Sequence, residues 1–202
     1  MKEMTNFHKL ENILKSNKGY ITREDVDKNN IPSWFLSDFV RRKGLEKIAP
    51  GFYANEAYIV DDYYILQKRY PKYIYAGMSA LYLLSLTDKI VTDLEVVAPQ
   101  GYNPSREKNN ISIRRISDSK KYSLGITSVK TMFGYSVQTY DPERTICDLV
   151  KYRDEYDAET FVKAVRFYIR KYNDQIKLMR YAKILGVEKK VFEIMELVAN
   201  ED

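Results

Sequence analysis

The sequence predicts an α+β protein in which an N-terminal winged helix-turn-helix precedes a mixed α/β domain that ends in a helical bundle. Two observations support this prediction. Three helical patterns and a two-stranded ribbon fit within the first 56 residues, and strand and helix patterns then follow along residues 57–202. We therefore expect a DNA-binding domain over 1–56 and a second domain over 57–202.

The first two helices are predicted from apolar spacing and from capping residues. Thr5 is predicted to cap a helix whose apolar positions recur at helical spacing, and residues 17–19, Asn-Lys-Gly, are predicted to end it. Thr22 is predicted to cap a short second helix over 23–27.

The third helix is predicted to begin at Pro32, because proline lacks the N–H that would have no partner in the first turn. Its apolar residues fall on one side of the helix: Phe35, Leu36, Phe39 and Val40. Its other side is small, polar and cationic: Ser33, Trp34, Ser37, Asp38 and Arg41.

A two-stranded ribbon is predicted directly after this helix, over 45–49 and 52–54, joined by the Pro50-Gly51 pair that type II turns favour. Helix and ribbon together predict a recognition helix for the major groove with a wing beside it. The residues predicted to approach base edges are Ser33, Trp34, Ser37 and Arg41. Those predicted to contact phosphates are Arg42, Lys43 and Lys47. The alternative is that these cations are solvated and only complement the helix dipole.

The second domain is predicted to start with a connecting helix over 56–75 that ends at Pro71. A helix over 76–86, strands over 92–99 and 110–117, and a strand pair over 124–139 follow.

A further helix is predicted after Asp141, which suits the N-cap, with Pro142 at the first helical position. Arg144 and Asp148 lie one turn apart on it and are predicted to pair. Cys147 is predicted to be a small buried hydrophobe, since no histidine or basic cluster near it marks an activated thiol.

The segment 158–185 combines an apolar stripe with a row of cations, and residues 173–174, Asn-Asp, are predicted to break it. The stripe is predicted to be core and comprises Val162, Val165, Ile169, Tyr172, Ile176 and Met179. The cations, called the basic ridge below, are Lys163, Arg166, Arg170, Lys177 and Arg180. The ridge fits a solvated flank and a surface for nucleic acid or protein equally well.

Net charge is +5, which favours a polyanionic partner. The surplus lies in residues 100–130, which carry seven Lys and Arg against two Asp and Glu. We expect this middle basic segment to hold the DNA backbone through Arg106, Lys108, Arg114, Arg115, Lys120 and Lys121.

Composition argues against several other functions. A single histidine, His8, and a single cysteine disfavour a zinc site or a histidine-dependent catalytic constellation, and we expect no cofactor. With no long apolar run and no signal-peptide pattern, we expect a cytoplasmic protein that does not bind membranes.

Two alternatives to a DNA-binding regulator remain. Asp93 and Glu95 are predicted to share a strand face, where paired carboxylates can hold a metal ion, so a nucleic-acid-binding enzyme or nuclease accessory is one alternative. A scaffold whose winged helix binds protein is the other.

Four segments in order resemble one known family. They are "IPSWFLSDFVRRKGLEKIAPGFYA", "YIYAGMSALYLLSL", "LEVVAPQGYN" and "YDPERTICDLV". Together they are similar to the AbiEi antitoxins of bacterial type IV toxin–antitoxin systems, which act in abortive infection as a phage defence. The similarity extends over nearly the whole chain.

This resemblance implies a non-enzymatic protein with two activities. Its winged helix would repress transcription of its own operon at inverted-repeat operator DNA, as a monomer or weak dimer that binds DNA cooperatively. Its C-terminal domain would counteract a nucleotidyltransferase toxin without forming a stable complex with it. The middle basic segment and the basic ridge are then candidates for the antitoxicity surface.

Overall fold

A computed structural model describes residues 2–56, 58, 61–103 and 111–199. The chain divides into two compact units, Met1–Val60 and Asp61–Asp202, called unit 1 and unit 2 here. The described residues form ten α helices and two separate sheets, which confirms the α+β class. Arg106 and Lys108 of the middle basic segment lie outside the described residues.

Unit 1 places its helices around a small three-stranded sheet. In chain order its elements are α1 (Lys2–Ser16), β1 (Tyr20–Thr22), α2 (Arg23–Lys28), α3 (Ser33–Lys43), β2 (Glu46–Ala49) and β3 (Phe52–Ala54). The strand order is β1-β3-β2, and both neighbouring pairs are antiparallel. β1 is absent from the sequence prediction, and Thr5 lies inside α1 rather than at its start.

Local signals set the ends of these helices. Thr22 and Asp25 form a capping box in which the Thr22 hydroxyl accepts the Asp25 amide N–H at 3.1 Å. Pro32 is the N-cap of α3, one position earlier than predicted. Gly44 ends α3 in the left-handed conformation with φ of 62°, where an L side chain is disfavoured. Sequence signals at helix ends therefore located α2 and α3 to within one residue.

The core of unit 1 is made by one side of each helix and by the sheet. Its buried members are Leu10, Ile21, Val26, Ile31, Phe35, Leu36, Phe39 and Leu45. Burial of Phe35, Leu36 and Phe39 holds the inner face of α3 against this core. The outer face of α3 is therefore available to solvent.

Unit 2 is built on a mixed five-stranded sheet of order β6-β5-β4-β8-β7. Its elements are α4 (Asp62–Arg69), β4 (Ile74–Tyr75), α5 (Gly77–Leu83), β5 (Leu94–Pro99), β6 (Ile111–Ile116), α6 (Ser119–Ser123), β7 (Ile126–Lys130), β8 (Ser136–Tyr140), α7 (Pro142–Lys151), α8 (Ala158–Lys171), α9 (Gln175–Leu185) and α10 (Glu188–Ala199). β5 runs parallel to β6, and β4 runs parallel to β8. The helix predicted over 56–75 is shorter: α4 begins after its cap at Asp61 and ends at Arg69, and residues 74 and 75 pair as a strand instead.

Helix α7 lies at the centre of unit 2. Asp141 caps it as predicted, accepting the Arg144 amide N–H at 2.9 Å, and α5, α8, α9 and α10 pack with it around a common core. The thiol of Cys147 is buried in this core and donates to the carbonyl oxygen of Leu178 at 3.7 Å. Cys147 is therefore a packed side chain, as the sequence predicts.

Burial should make Cys147 nearly inert in the folded protein. Burial raises the pKa of its thiol from 9.0 to about 12, which lowers the thiolate fraction near neutral pH by roughly a thousandfold. We expect iodoacetamide to leave Cys147 unmodified in buffer and to alkylate it fully in denaturant, measured by mass spectrometry. Rapid alkylation of the native protein would contradict the buried position.

The apolar stripe over 158–185 is only partly core. Residues 173–174 break the helix as predicted, with Asn173 in a left-handed conformation at φ of 51° and Asp174 capping α9. The break changes the phase of the second helix, so Leu178, not Ile176, faces the core. Ile176 is 87% exposed and Tyr172 is 36% exposed, so the core positions predicted for these two residues are wrong. Among the helices of the described residues, none has the length and apolar composition needed to cross a bilayer.

Candidate nucleic-acid interface

The outward face of α3 carries the residues that the sequence predicts for base contacts. Ser33, Trp34, Ser37 and Arg41 are all exposed. Trp34 is the largest of them and is 58% exposed, with its ring 4.5 Å from that of the buried Phe35. Trp34 thus contacts the buried Phe35 and leaves more than half of its surface open to solvent.

A single carboxylate holds both arginines at the end of α3. Asp38 accepts from Nη2 of Arg41 through Oδ1 and from Nε of Arg42 through Oδ2, each at 2.7 Å. The arginines lie three and four positions after Asp38, the spacing at which helical side chains meet. Exposed ion pairs of this kind contribute about 0–1 kcal/mol each to stability. A phosphate or a base can therefore take the place of Asp38 as the partner of either arginine.

Lys43 is bound within unit 1. Its ammonium pairs with Glu11 of α1 and lies 5.3 Å from the centre of the Phe7 ring. The hydrogen bond from Lys43 lowers the pKa of Glu11, and His8 lies 3.3 Å from the same carboxylate. Lys43 therefore links the end of α3 to α1, a role that the sequence does not predict.

The β2–β3 ribbon follows α3 directly and carries Lys47 exposed on β2, opposite Tyr53. At its tip, Gly51 has φ of 70°, as the second central residue of a type II turn requires. The Gly51 carbonyl oxygen accepts the amide N–H of Arg23 at 2.8 Å, which ties the ribbon tip to the start of α2. The ribbon is thus anchored at the tip and exposes a cation along one strand.

The middle basic segment is less open than the sequence predicts. The Arg114 guanidinium lies 3.5 Å above the Tyr152 ring and pairs with Glu155. Arg115 and Lys121 are half-buried, and Lys120 is exposed on α6. Of the five described cations in residues 100–130, Lys120 and Lys130 are exposed and the other three are half-buried.

The basic ridge is divided by ion pairs. Lys163 binds Asp88 at 3.1 Å and Glu159 at 3.0 Å, and Lys177 binds Glu143 at 2.7 Å and Asp141 at 3.0 Å. Burial acts to lower the pKa of Lys177, but its bonds to Glu143 and Asp141 outweigh burial and raise it.

The arginines of the ridge differ in exposure. Arg166 is half-buried, Arg170 is exposed, and the exposed Arg180 lies 5.6 Å from the Tyr181 ring. Acidic side chains neutralise Lys163 and Lys177, so the ridge is not a continuous cationic surface.

The carboxylates Asp93 and Glu95 do not share a strand face. Asp93 precedes β5 and is exposed, whereas Glu95 is half-buried on the strand. Glu95 accepts the amide N–H of Met78 at 3.2 Å, and burial raises its pKa. The φ of Gly77 is 52°, and a Cβ there would lie 1.7 Å from Oε2 of Glu95. Glu95 is thus fitted against the first turn of α5.

No group of three or more His, Cys, Asp or Glu side chains in the described residues is placed to hold a metal ion.

Comparison of the sequence with protein-family models and with curated proteins found no match. Among solved structures, the chain is similar to the crystal structure of the RV2827C protein from Mycobacterium tuberculosis. The two share 15% sequence identity with a TM-score of 0.58, and the similarity covers 87% of this chain and 70% of that one. At this level of identity the likeness concerns the fold alone.

Proposed function

We propose that unit 1 is a winged helix-turn-helix that binds double-stranded DNA, with α3 in the major groove and the β2–β3 ribbon as the wing. The observation that carries this proposal is the two-sided character of α3. Its inner face is core, and its outer face exposes Trp34 and Arg41 next to a ribbon that carries Lys47. A recognition helix needs both properties, since it must be held rigidly while its outer side chains reach base edges.

The chemistry of the outer face also suits DNA. Arginine can bind guanine O6 and N7 through two hydrogen bonds, serine hydroxyls bind to bases of several kinds, and an apolar ring can contact a thymine methyl group. Arg42 and Lys47 would then lie at the edges of the groove, where phosphate contacts fix the register without reading sequence.

We further propose that the protein is an AbiEi-like antitoxin that represses its own operon and counteracts a nucleotidyltransferase toxin. The four ordered segments of the sequence support this proposal, and they lie in both units. In this proposal the protein is not an enzyme, requires no cofactor, and acts in the cytoplasm without a stable complex with the toxin.

Arg41 provides the test of DNA binding. A good base contact gives about 1–3 kcal/mol of discrimination, so Arg41→Ala should reduce the preference for operator over random DNA by roughly 5- to 150-fold. Binding to random duplexes should fall much less. The measurement is fluorescence anisotropy of labelled duplexes from the region upstream of the gene, with shuffled versions for comparison.

Lys9→Ala is the matched control, because Lys9 is an exposed cation on α1 and its loss changes the charge equally. This control should leave the operator preference unchanged. Equal losses of affinity on operator and random DNA for Arg41→Ala would exclude Arg41 as a base reader, and no binding of any duplex by the unaltered protein would refute the proposed function.

A further inference from the structure

An acidic side chain lies beside the two arginines at the end of α3. Asp38 is the acidic residue on the outward face of α3, and a carboxylate that approaches DNA is repelled by phosphates. Its side chain is 20% exposed, against 81% for Arg41 and 64% for Arg42, so the two guanidinium groups lie outside the carboxylate that binds them. Any DNA that reaches these arginines also meets the field of Asp38.

This arrangement affects sequence-independent and sequence-specific contacts differently. A phosphate contact depends on charge, and Asp38 cancels part of the positive charge that two arginines would offer. A non-specific complex gains nothing in return, because its affinity comes from phosphate contacts and not from base contacts.

A base contact depends on geometry as well as on charge. The bond to Asp38 engages Nη2 of Arg41, and the rest of this exposed guanidinium can still donate to a guanine. The carboxylate then orients the guanidinium plane, as a fixed fork requires. A site with guanine at this position is therefore less affected by Asp38 than random DNA is.

We propose that Asp38 is a specificity-determining residue, which suppresses binding to random DNA while it orients Arg41 for a guanine edge. This inference rests on the proposed function of unit 1. It adds that an acidic side chain, and not only the cations, sets the ratio of specific to non-specific affinity.

The test compares Asp38→Asn with the unaltered full-length protein. The probes are duplexes selected by the unaltered protein from a randomised library, and shuffled duplexes of the same composition. Binding is measured by anisotropy between 50 and 200 mM salt.

If Asp38→Asn frees both arginines for phosphates, the log–log salt slope on shuffled DNA should steepen by up to about 1.8, which is about 0.9 per contact. Affinity for shuffled DNA at low salt should rise roughly tenfold, and the ratio of selected to shuffled affinity should fall by a similar factor.

Glu24→Gln is the matched control, since it also removes one negative charge and an ion pair at i,i+4, the 2.6 Å contact with Lys28 on α2. A similar rise in shuffled affinity for both variants would show a general charge effect and overturn the proposal. An unchanged ratio for Asp38→Asn would overturn it too, as would equal loss of binding to both probes in a variant with an unchanged circular dichroism melting curve. In each of these cases the unaltered protein still binds its selected duplexes, so the proposed function stands, whereas failure to select any duplex defeats both.

Discussion

Replacing Arg144 with methionine is expected to lower the free energy of unfolding of unit 2 by about 3–5 kcal/mol, the range seen when one partner of a buried ion pair is removed. Arg144 is 1% exposed and is the largest fully buried side chain described in the protein. Its Nε donates to Asp148 at 2.9 Å, and Nη1 donates to the carbonyl oxygens of Lys121 and Leu124. Methionine fills much of the same volume but leaves a buried carboxylate and two carbonyl oxygens without this donor.

The cost should fall mainly on Asp148. Burial already raises the pKa of this carboxyl group despite the attraction of Arg144, so loss of the guanidinium favours the neutral acid further. Urea denaturation followed by circular dichroism would measure the effect. The matched control, Arg180→Met, removes an exposed arginine of the same unit and should change stability by less than about 0.5 kcal/mol.

The double variant Arg144→Met with Asp148→Leu separates the ion pair from the other contacts of Arg144. Because it removes both charges, it should be less destabilised than Arg144→Met alone. A loss below about 1 kcal/mol for Arg144→Met would mean that this network contributes little to folding.

Removing unit 1 should separate the two proposed activities. We expect a fragment of residues 61–202 to lose operator binding by at least about a thousandfold, because only non-specific contacts would remain. The same fragment should still protect cells from the nucleotidyltransferase toxin, since unit 2 has its own sheet and core. Anisotropy on operator duplexes and growth of cells that co-express the toxin measure the two outcomes.

The fragment has to start at Asp61. This residue caps α4 by accepting the Tyr64 amide N–H at 3.1 Å. Its other carboxylate oxygen accepts a hydrogen bond from the hydroxyl of Thr131, 70 positions later in the chain. A fragment that begins at Asp62 is a useful comparison, as loss of the cap should destabilise it by about 1 kcal/mol. If the folded 61–202 fragment is present in cells at normal levels and growth is not restored, antitoxicity requires unit 1.

The sequence predicted the elements of this fold where local signals were strong. The N-cap predicted at Thr22 and the Asp141-Pro142 pair located α2 and α7 directly. β1 has only three residues, too few for a strand period to be recognised, and its pairing with β3 is a tertiary contact. Ile74 and Tyr75 lie within the range predicted for the connecting helix but beyond Pro71, and pairing with β5 and β8 makes them a strand.

In the candidate site, too, local sequence signals predicted what depends on one helix but not what depends on tertiary contacts. Exposure of Trp34 and Arg41 followed from helical spacing, which depends on α3 alone. The partners of the cations depend on distant parts of the chain, as the pairs Lys43 with Glu11 and Lys177 with Glu143 show. Spacing within a helix therefore identified which face points outward, but not which charges on that face are already neutralised.

The position of Trp34 also has a spectroscopic consequence. It is the one tryptophan among 202 residues, while the 18 tyrosines absorb and emit at shorter wavelengths. Excitation at the red edge of the indole band would thus observe α3 selectively, without any attached dye. Quenching by iodide or acrylamide would report how open this helix is, and a stopped-flow trace would time the moment at which a duplex covers it. The chain carries a built-in optical probe on the surface proposed to bind DNA.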